Sequence, residues 1–440
     1  MTTLSSAAIH PLLLEPNGPL DDLAWLDHAI GDARVVAIGE SSHYNHEFLA
    51  LRHRLLRYLV ERHGFSGYAM ESGFPEGRQA DGWVRDGRPD QLGSVLASGL
   101  TSLMGPWTEI RDLMSWLWQH NQNSTGKVGF YGIDLPGSAV SAMPGLELVF
   151  DYLGEVDPRF EPDPAIRDTA GALAASSPFS ALVAMAAYGE LGQSAKDAFT
   201  AGLAGLVARL TAYRLEYVAR TSLDAYGRTC CTLAGAVALD ALARAMAGGD
   251  RQSMMNIRDA TMADTIEWIL GREERIVLAA HNSHLQRWPG ALPGMPSMTP
   301  LGMHLADRLG RDYVVIGTTA NTGQILTTGP EFYAGMLFSP LPPAAPDSID
   351  GLMAASHDGP FGVDLRRLSE ADVEAVRAAG RQRVLADHYG EMDVLAAFDV
   401  LVHVPVLTPA HPDADALAHA PADVQGPFDA YQQSLTAPAE

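Results

Sequence analysis

Six short runs of apolar and β-branched residues recur along the chain, separated by segments in which apolar residues return at helical spacing. Continuous apolar runs of this length are typical of strands that are buried on both faces of a sheet. The runs are Arg34–Gly39, Gly67–Glu71, Val128–Asp134, Arg275–His281, Tyr313–Thr318 and Phe398–Val404. Helical spacing is clearest in Glu47–Arg62 and Glu109–His120. The alternation of strands and helices predicts an α/β fold.

One long segment interrupts this alternation. Residues 164–249 contain no strand-like run and are rich in Ala and Leu, so we interpret them as helical. The chain then divides into a first α/β half at 1–163, a helical insertion at 164–250 and a second half at 251–404. We expect the insertion to cover a ligand cleft as a lid, with a plain second packing layer as the alternative. Residues 405–440, rich in Ala and Pro, are expected to form a loosely packed tail.

The excess of acidic residues makes some classes of binding partner unfavourable. The 440 residues include 53 acidic and 30 basic side chains, and the formal net charge of −23 disfavours binding to nucleic acid or anionic membranes. The N-terminal segment has no basic region before its apolar residues, and no apolar run of about 20 residues occurs. The neighbouring Cys230 and Cys231 are too few for a disulfide framework. We expect a cytoplasmic protein with a small-molecule partner; the pattern indicates no oligomeric state.

Four of the predicted strands end in titratable side chains, at the point where the chain turns toward the next helix. These side chains are Glu40 and His43, Glu71, Asp134, and His281 and His284. A carboxylate at the end of a buried strand is unfavourable unless it is hydrogen-bonded or paired with a cation or metal. If the strands share one sheet, the three carboxylates and three imidazoles converge. Arg52, nine residues after His43, is placed to pair with one of the carboxylates.

The first and fourth predicted strands also resemble each other. In both Val36–His43 and Val277–His284, an apolar strand ends in a titratable residue that is followed by x-Ser-His. The match predicts two similar β–α halves whose strand ends face one crevice, the position at which open α/β sheets hold their ligands.

The sequence contains no motif for a covalent nucleophile or a bound cofactor. There is no G-x-S-x-G turn, H-E-x-x-H helix, phosphate-binding loop or strand-led G-x-G-x-x-G. The histidines and carboxylates therefore favour activation of water, in which one imidazole is the general base and a carboxylate fixes its tautomer. A divalent metal held by His281, His284 and a carboxylate is the alternative that these residue types leave open.

In their order and spacing, these motifs together resemble the erythromycin esterase family. The matching segments are Gly39–His43 with Glu47, Phe48 and Arg52, then Ala69–Ser72, Tyr131–Asp134, Arg258–Asp259 with Met262 and Ala263, and Ala280–His284. The resemblance extends from about residue 34 to about residue 318. It implies a central mixed β-sheet with flanking helices in two similar β–α halves, with the helical insertion covering the cleft.

The resemblance also implies a chemistry, that of a metal-independent hydrolase that opens a macrolide lactone by adding water to the ester carbonyl, as in antibiotic resistance. It implies that His43 is the general base. Glu71, Glu40, His281 and His284 are implied to orient the base, the water and the carbonyl.

We further expect Arg52, Asp134, His46 and Arg258 to contact the substrate. No cofactor is expected, although a divalent metal at the His/Glu cluster stays open. Two other functions also stay open. One is a natural-product tailoring enzyme that uses the same site for elimination, cyclisation or acyl transfer, and the other is a non-catalytic protein that binds a hydrophobic natural product.

Overall fold

The computed structural model describes residues 2–290, 296–385 and 387–436. Its strands are β1 (His10–Pro11), β2 (Val35–Glu40), β3 (Gly67–Gly73), β4 (Gly129–Asp134), β5 (Ile276–His281), β6 (Tyr313–Leu326), β7 (Phe338–Leu341), β8 (Phe361–Asp364), β9 (Arg381–Leu385), β10 (His388–Glu391) and β11 (Val400–Leu407). Its first helices are α1 (Asp27–Ile30), α2 (His46–His63), α3 (Phe74–Asp86), α4 (Leu92–Gly99), α5 (Thr108–Asn123) and α6 (Met143–Val156).

The remaining helices fall into two groups, before and after β5. Those before it are α7 (Pro164–Ala172), α8 (Ala181–Glu190), α9 (Gln193–Ala212), α10 (Arg214–Arg220), α11 (Leu223–Ala247) and α12 (Arg251–Leu270). Those after it are α13 (Asn282–Leu285), α14 (Leu301–Leu309), α15 (Pro330–Tyr333), α16 (Ile349–Ser356), α17 (Glu370–Ala379), α18 (Val394–Ala397), α19 (Ala414–His419) and α20 (Ala422–Thr436).

A mixed sheet of nine strands, counted over the described residues, forms the centre of the fold. The strand order is β1-β8-β11-β6-β2-β5-β3-β4, and β7 pairs with the end of β6. Neighbours from β11 to β4 are parallel, whereas β8, β1 and β7 pair antiparallel at the margins. The strands β2 to β5 are buried at every position because helices cover both faces. The predicted central mixed sheet with flanking helices is confirmed.

The two segments with matching sequences are neighbouring strands. β2 and β5 pair in parallel, with Val36 opposite Val277 and, four residues later, Glu40 opposite His281. The sequence match is therefore also the register of the sheet. Each strand is followed three residues later by a histidine, His43 or His284, so the two histidines leave the sheet at the same edge.

Gly39 in β2 leaves room for a side chain that links the end of β5 to the middle of β6. The Asn282 side chain crosses over Gly39, donating to the Thr318 carbonyl at 2.7 Å and accepting from the Thr318 N–H at 3.2 Å. A Cβ atom at position 39 would lie 2.0 Å from Asn282 Oδ1, which is not possible without displacement. Glycine is needed at position 39 because it leaves room for the Asn282 side chain, which joins the end of β5 to β6.

Residues 164–249 fold into α7 to α11 without a strand, as the sequence predicts. With α6 they enclose an apolar core of their own, separate from the cores on the two faces of the sheet. α11 is long enough and on average apolar enough to span a membrane, although Asp224, Arg228, Asp240 and Arg244 interrupt its apolar residues. Its Leu233, Ala236 and Leu239 are at most 1% exposed and contribute to that core, so α11 packs as a core helix. That these helices act as a lid stays a prediction.

The C-terminal segment is packed, in contrast to the loose tail expected from its Ala and Pro content. β11 continues to Leu407, and α20 buries Val424, Phe428 and Tyr431 on one face. Phe428 is fully buried against Trp107 of the main core. Apolar residues at positions i, i+4 and i+7 are sufficient to anchor a helix even when small residues separate them. Residues 437–440 of the expected tail lie outside the described part.

Candidate active site

The ends of β2, β3, β4 and β5 bring most of the predicted site residues into one cluster. Its members are Glu40, His43, Arg52, Glu71, Asp134, Arg258, His281 and His284. The parallel strands end at one edge of the sheet, which is where open α/β folds place their ligands. α2 and α12 contribute the two arginines from outside the sheet.

His43 is held in one orientation by Glu40. Its Nδ1–H donates to Glu40 Oε1 at 2.6 Å, and the other carboxylate oxygen lies 2.7 Å from Arg52 Nη2. Glu40 and Arg52 are each 1% exposed or less, whereas the His43 side chain is 23% exposed. The neutral ring therefore keeps its proton on Nδ1 and has a free Nε2 lone pair, as a general base requires.

The carboxylates also shift the pKa of His43. Burial by itself lowers this pKa, but the hydrogen bond to Glu40 and the negative charges of Glu40 and Glu71 outweigh it, so the pKa lies above the ordinary 6.5. The pKa of Glu40 is lowered, because Arg52 and His43 together outweigh the effect of burial. Glu40 is therefore an ionised partner that strengthens the basicity of His43.

Glu71 links the end of β3 to both β5 and α12. Its Oε2 accepts from the His281 backbone N–H at 2.8 Å, and its Oε1 accepts from Arg258 Nη2 at 3.1 Å. His284 Nε2 lies 3.3 Å from the same Oε1. Burial raises the pKa of Glu71, but the charges of His284, His43 and Arg258 lower it by more than burial raises it. The pKa of Glu71 therefore lies well below its ordinary value. Glu71 is therefore a fixed negative charge in the cluster.

Arg258 pairs with Asp134 through two parallel hydrogen bonds. Its Nε donates to Asp134 Oδ1 at 3.0 Å, and its Nη2 donates to Asp134 Oδ2 at 2.6 Å. Two-point pairing of this kind fixes the plane of the guanidinium as well as its position. Arg258 thus neutralises the buried acid at the end of β4 and is held in place to bind Glu71.

Both ring nitrogens of His284 are engaged inside the protein. Its Nδ1–H donates to Asp259, at 2.9 Å from each carboxylate oxygen, and its Nε2 faces Glu71. Burial lowers the pKa of His284, but Asp259 and Glu71 outweigh this and raise it to about 10. His284 is therefore an imidazolium whose positive charge lies between the carboxylates of Asp259 and Glu71.

His281 is a neutral imidazole, in contrast to the charged His284. Its Nδ1 accepts from the Ser283 N–H at 3.2 Å and from the Ser283 hydroxyl at 2.7 Å, so the ring proton lies on Nε2. Burial, together with the positive charges of His43 and His284, lowers the pKa of His281 to about 4. The ring centroids of His281 and His43 are 5.1 Å apart. A neutral hydrogen-bond donor thus lies next to a general base.

Tyr44 forms one wall beside His43. Its ring centroid lies 5.5 Å from that of His43, and its hydroxyl donates to the Ser102 carbonyl. Its φ of 59° is unusual for a non-glycine residue, and such strain often accompanies functional sites. Ser102 and Leu103 also line a cavity of about 360 Å³, which is large enough for part of a small-molecule ligand.

Of the four residues that the sequence predicts to contact a substrate, three lie in the cluster and His46 lies outside it. Arg52 forms an ion pair with Glu40, and Asp134 forms one with Arg258. Both side chains are buried, so neither presents exposed atoms to a ligand. His46 is absent from the cluster because its Nδ1 pairs with Glu109 instead. Arg258 lies in the cluster, where its guanidinium is engaged by carboxylates.

Three residues of the site were not among those singled out from the sequence: Asp259, Ser283 and Tyr44. Asp259 follows Arg258 in a quoted motif, and Ser283 belongs to the repeated x-Ser-His, so sequence signals were available for both. Tyr44 follows His43 directly, but its strained backbone has no signature in a single sequence.

Comparisons with known proteins identify the family of this chain. The family model described as erythromycin esterase matches residues 60–407. The chain belongs to the erythromycin esterase family. It is 33% identical over 327 residues to erythromycin esterase type II of Escherichia coli, covering 72% of this chain and 76% of that protein. It is 26% identical over 305 residues to erythromycin esterase type I of Escherichia coli, with 68% and 73% covered.

Solved structures share the fold of this family member. A Bacillus cereus protein superposes with a TM-score of 0.74 at 21% identity, covering 92% of this chain and 96% of that one. A mutant of the erythromycin esterase EreC, in its open conformation, gives a TM-score of 0.75 at 22% identity, with 92% and 98% covered. The resemblance predicted from the motifs is confirmed, and family membership indicates an esterase-like hydrolase. The matched residues 60–407 include Glu71 and His281 but begin after His43.

Proposed function

We propose that this protein hydrolyses a carboxylic ester or lactone with a water molecule activated by His43. The observation that carries the proposal is that two neighbouring imidazoles have opposite tautomers, one with a free Nε2 lone pair and the other with an Nε2–H. His43 is a basic imidazole oriented by Glu40, and the neutral ring of His281 lies 5.1 Å away, centroid to centroid. Ester hydrolysis needs both a base for water and a donor for the carbonyl oxygen.

In this mechanism His43 Nε2 removes a proton from water as the water oxygen bonds to the carbonyl carbon. The carbonyl π electrons move to oxygen, and the resulting oxyanion accepts a hydrogen bond from His281 Nε2–H. When the tetrahedral intermediate collapses, the bond to the alcohol oxygen breaks and His43 returns the proton to that oxygen. The products are a carboxylic acid and an alcohol, which remain joined if the substrate is a lactone.

The other charged groups act by positioning. The family resemblance implies that both His281 and His284 orient the reacting groups, but both nitrogens of His284 are engaged by Asp259 and Glu71. We therefore assign the oxyanion contact to His281 alone. Glu71 fixes His281 by accepting its backbone N–H, and His284 with Arg258 fixes Glu71. Arg52 has the same supporting role toward Glu40.

A macrolide lactone is the substrate class that we propose, in the context of antibiotic resistance, because the two relatives from Escherichia coli described above are named erythromycin esterases. No step of this mechanism requires a metal ion, and a cytoplasmic location remains our expectation. Neither a tailoring reaction nor binding without turnover is favoured by a specific observation in the cluster.

The proposal is tested by incubating the tag-free protein with a panel of macrolides and aryl esters and following the products by liquid chromatography and mass spectrometry. His43→Ala should lower turnover by roughly 10²–10⁴-fold, the usual contribution of a general base. His63→Ala is the matched control, because His63 ends the same helix, α2, and pairs with Asp27 away from the cluster. Near wild-type turnover by His43→Ala on every ester that the wild type cleaves would refute the proposal.

A further inference from the structure

A second group of histidines and a carboxylate lies outside the proposed catalytic cluster. Glu109 Oε1 accepts from His46 Nδ1 at 2.7 Å and from His411 Nδ1 at 2.6 Å. Within the described part of the chain, this is the only set of three His, Cys, Asp or Glu residues whose ligand atoms all lie within 4.8 Å of one another. The proposed ester hydrolysis uses none of the three.

The three residues come from separate chain segments whose backbones are fixed to one another. His46 begins α2, Glu109 lies in the first turn of α5, and His411 follows β11. The His46 N–H donates to the Thr408 carbonyl at 2.9 Å, and the Thr108 N–H donates to the His411 carbonyl at 2.8 Å. The group is therefore organised by main-chain hydrogen bonds that do not depend on its own side chains.

The group is also open to solvent, and two further acidic side chains lie near it, with Arg111 as a neighbouring cation. The side chains of His46 and His411 are 40% and 69% exposed, so burial does not account for their pairing with a single carboxylate oxygen. Glu109 is buried and lies between them. Glu47 and Asp112 add negative charge within electrostatic reach of the group. Such a field attracts a cation.

We propose that His46 Nδ1, His411 Nδ1 and the Glu109 carboxylate together bind one divalent transition metal ion of the zinc class. Two imidazoles and a carboxylate form a donor set that zinc accepts, and water can complete a tetrahedral shell from the exposed side. On binding, each ring gives up the Nδ1 proton that it donates to Glu109, so that one proton is left on Nε2 and the Nδ1 lone pair binds the ion. The ligand atoms, now at hydrogen-bond distances, need to separate by roughly half an ångström.

Such an ion would join the segment after β11 to the starts of α2 and α5. Binding to the folded state alone stabilises a protein in proportion to the logarithm of ligand concentration, so the ion should raise the melting temperature. The site is three residues from His43, but its ligands belong to a different set of contacts. The inference therefore does not depend on the proposed ester hydrolysis.

The test uses the full chain without a polyhistidine tag, with Zn²⁺ as the probe in isothermal titration calorimetry and native mass spectrometry. We expect one Zn²⁺ per chain and a zinc-dependent rise in melting temperature. His411→Ala and Glu109→Gln should each weaken the affinity by about tenfold or more. His419→Ala is the matched control, because His419 is an exposed histidine of the same C-terminal segment that pairs with Asp415. The affinity of the His419→Ala protein for Zn²⁺ should stay within about twofold of the wild-type value.

Two variants keep the test independent of any one substitution. His411 is exposed and should tolerate replacement, and circular dichroism verifies the fold of each protein. Failure of the wild type to bind Zn²⁺ at high micromolar concentration would overturn the inference, as would unchanged affinity in both variants. Binding that is lost in His281→Ala instead would assign the ion to the catalytic cluster and would equally overturn it.

Discussion

Replacing Glu40 by Gln should change both the titration and the tautomer of His43. Arg52 can only donate hydrogen bonds, so it will draw the amide oxygen of the new side chain toward itself. The amide NH₂ then faces His43 Nδ1, which must accept instead of donate. The ring proton consequently moves to Nε2, the atom that has to receive the proton of water.

The size of both effects follows from the 2.6 Å contact between His43 Nδ1 and Glu40 Oε1. A hydrogen bond to a charged group contributes about 1.5–3 kcal/mol, so its loss should lower the raised pKa of His43. Loss of the correct tautomer should lower the maximal kcat/KM by roughly 10²–10⁴-fold. Because the buried Arg52 loses its charged partner, the free energy of unfolding should fall by up to about 3–5 kcal/mol.

The assay is kcat/KM as a function of pH on the best ester substrate, at a temperature below the melting point of each protein. The wild-type rate should rise with pH and level off above an apparent pKa higher than 6.5, because only the neutral ring is a base. In Glu40→Gln the acid limb should move to lower pH and the plateau should fall. Asp27→Asn, which breaks the pair with His63 at the other end of α2, should leave the profile unchanged. An unshifted acid limb with a plateau within about threefold of wild type would refute the reasoning.

Further substitutions test the other assignments. His281→Phe should lower kcat by about 10²–10³-fold with little change in KM, and an unchanged kcat would exclude His281 as the oxyanion donor. Arg258→Met leaves Asp134 buried without a cationic partner and should lower the free energy of unfolding in urea by about 3–5 kcal/mol; full recovery by Arg258→Lys would contradict the two-point pairing. The raised pKa of His284 contributes stability that is complete below pH 6.5 and is lost as pH rises toward about 10. His284→Gln should therefore lack this decline, and a wild type equally stable at both pH values would be inconsistent with an imidazolium.

The position of the cluster could be predicted from the sequence because it depends on strand ends. Glu40, Glu71, Asp134 and His281 each close an apolar run, and parallel strands bring such ends to one edge regardless of the details of packing. The internal match was informative for the same reason, since it is the register of β2 against β5.

The pairing of charges within the cluster could not be predicted in this way. It depends on where α12 crosses the sheet, which decides that Arg258 meets Asp134 and Glu71 and that Asp259 meets His284. Helix position is set by side-chain packing over the whole face of the sheet, and residue spacing does not encode it. The C-terminal segment was misjudged because composition hides the few apolar residues that anchor α20.

The central claim is that water, activated by His43, adds to an ester carbonyl. It is tested most directly by a reaction with a macrolide lactone in ¹⁸O-labelled water, followed by mass spectrometry of the product. The account predicts a ring-opened acid that contains one solvent oxygen with the wild type and almost none of this product with His43→Ala. A product without solvent oxygen, or equal labelled product from the His43→Ala protein, would contradict it.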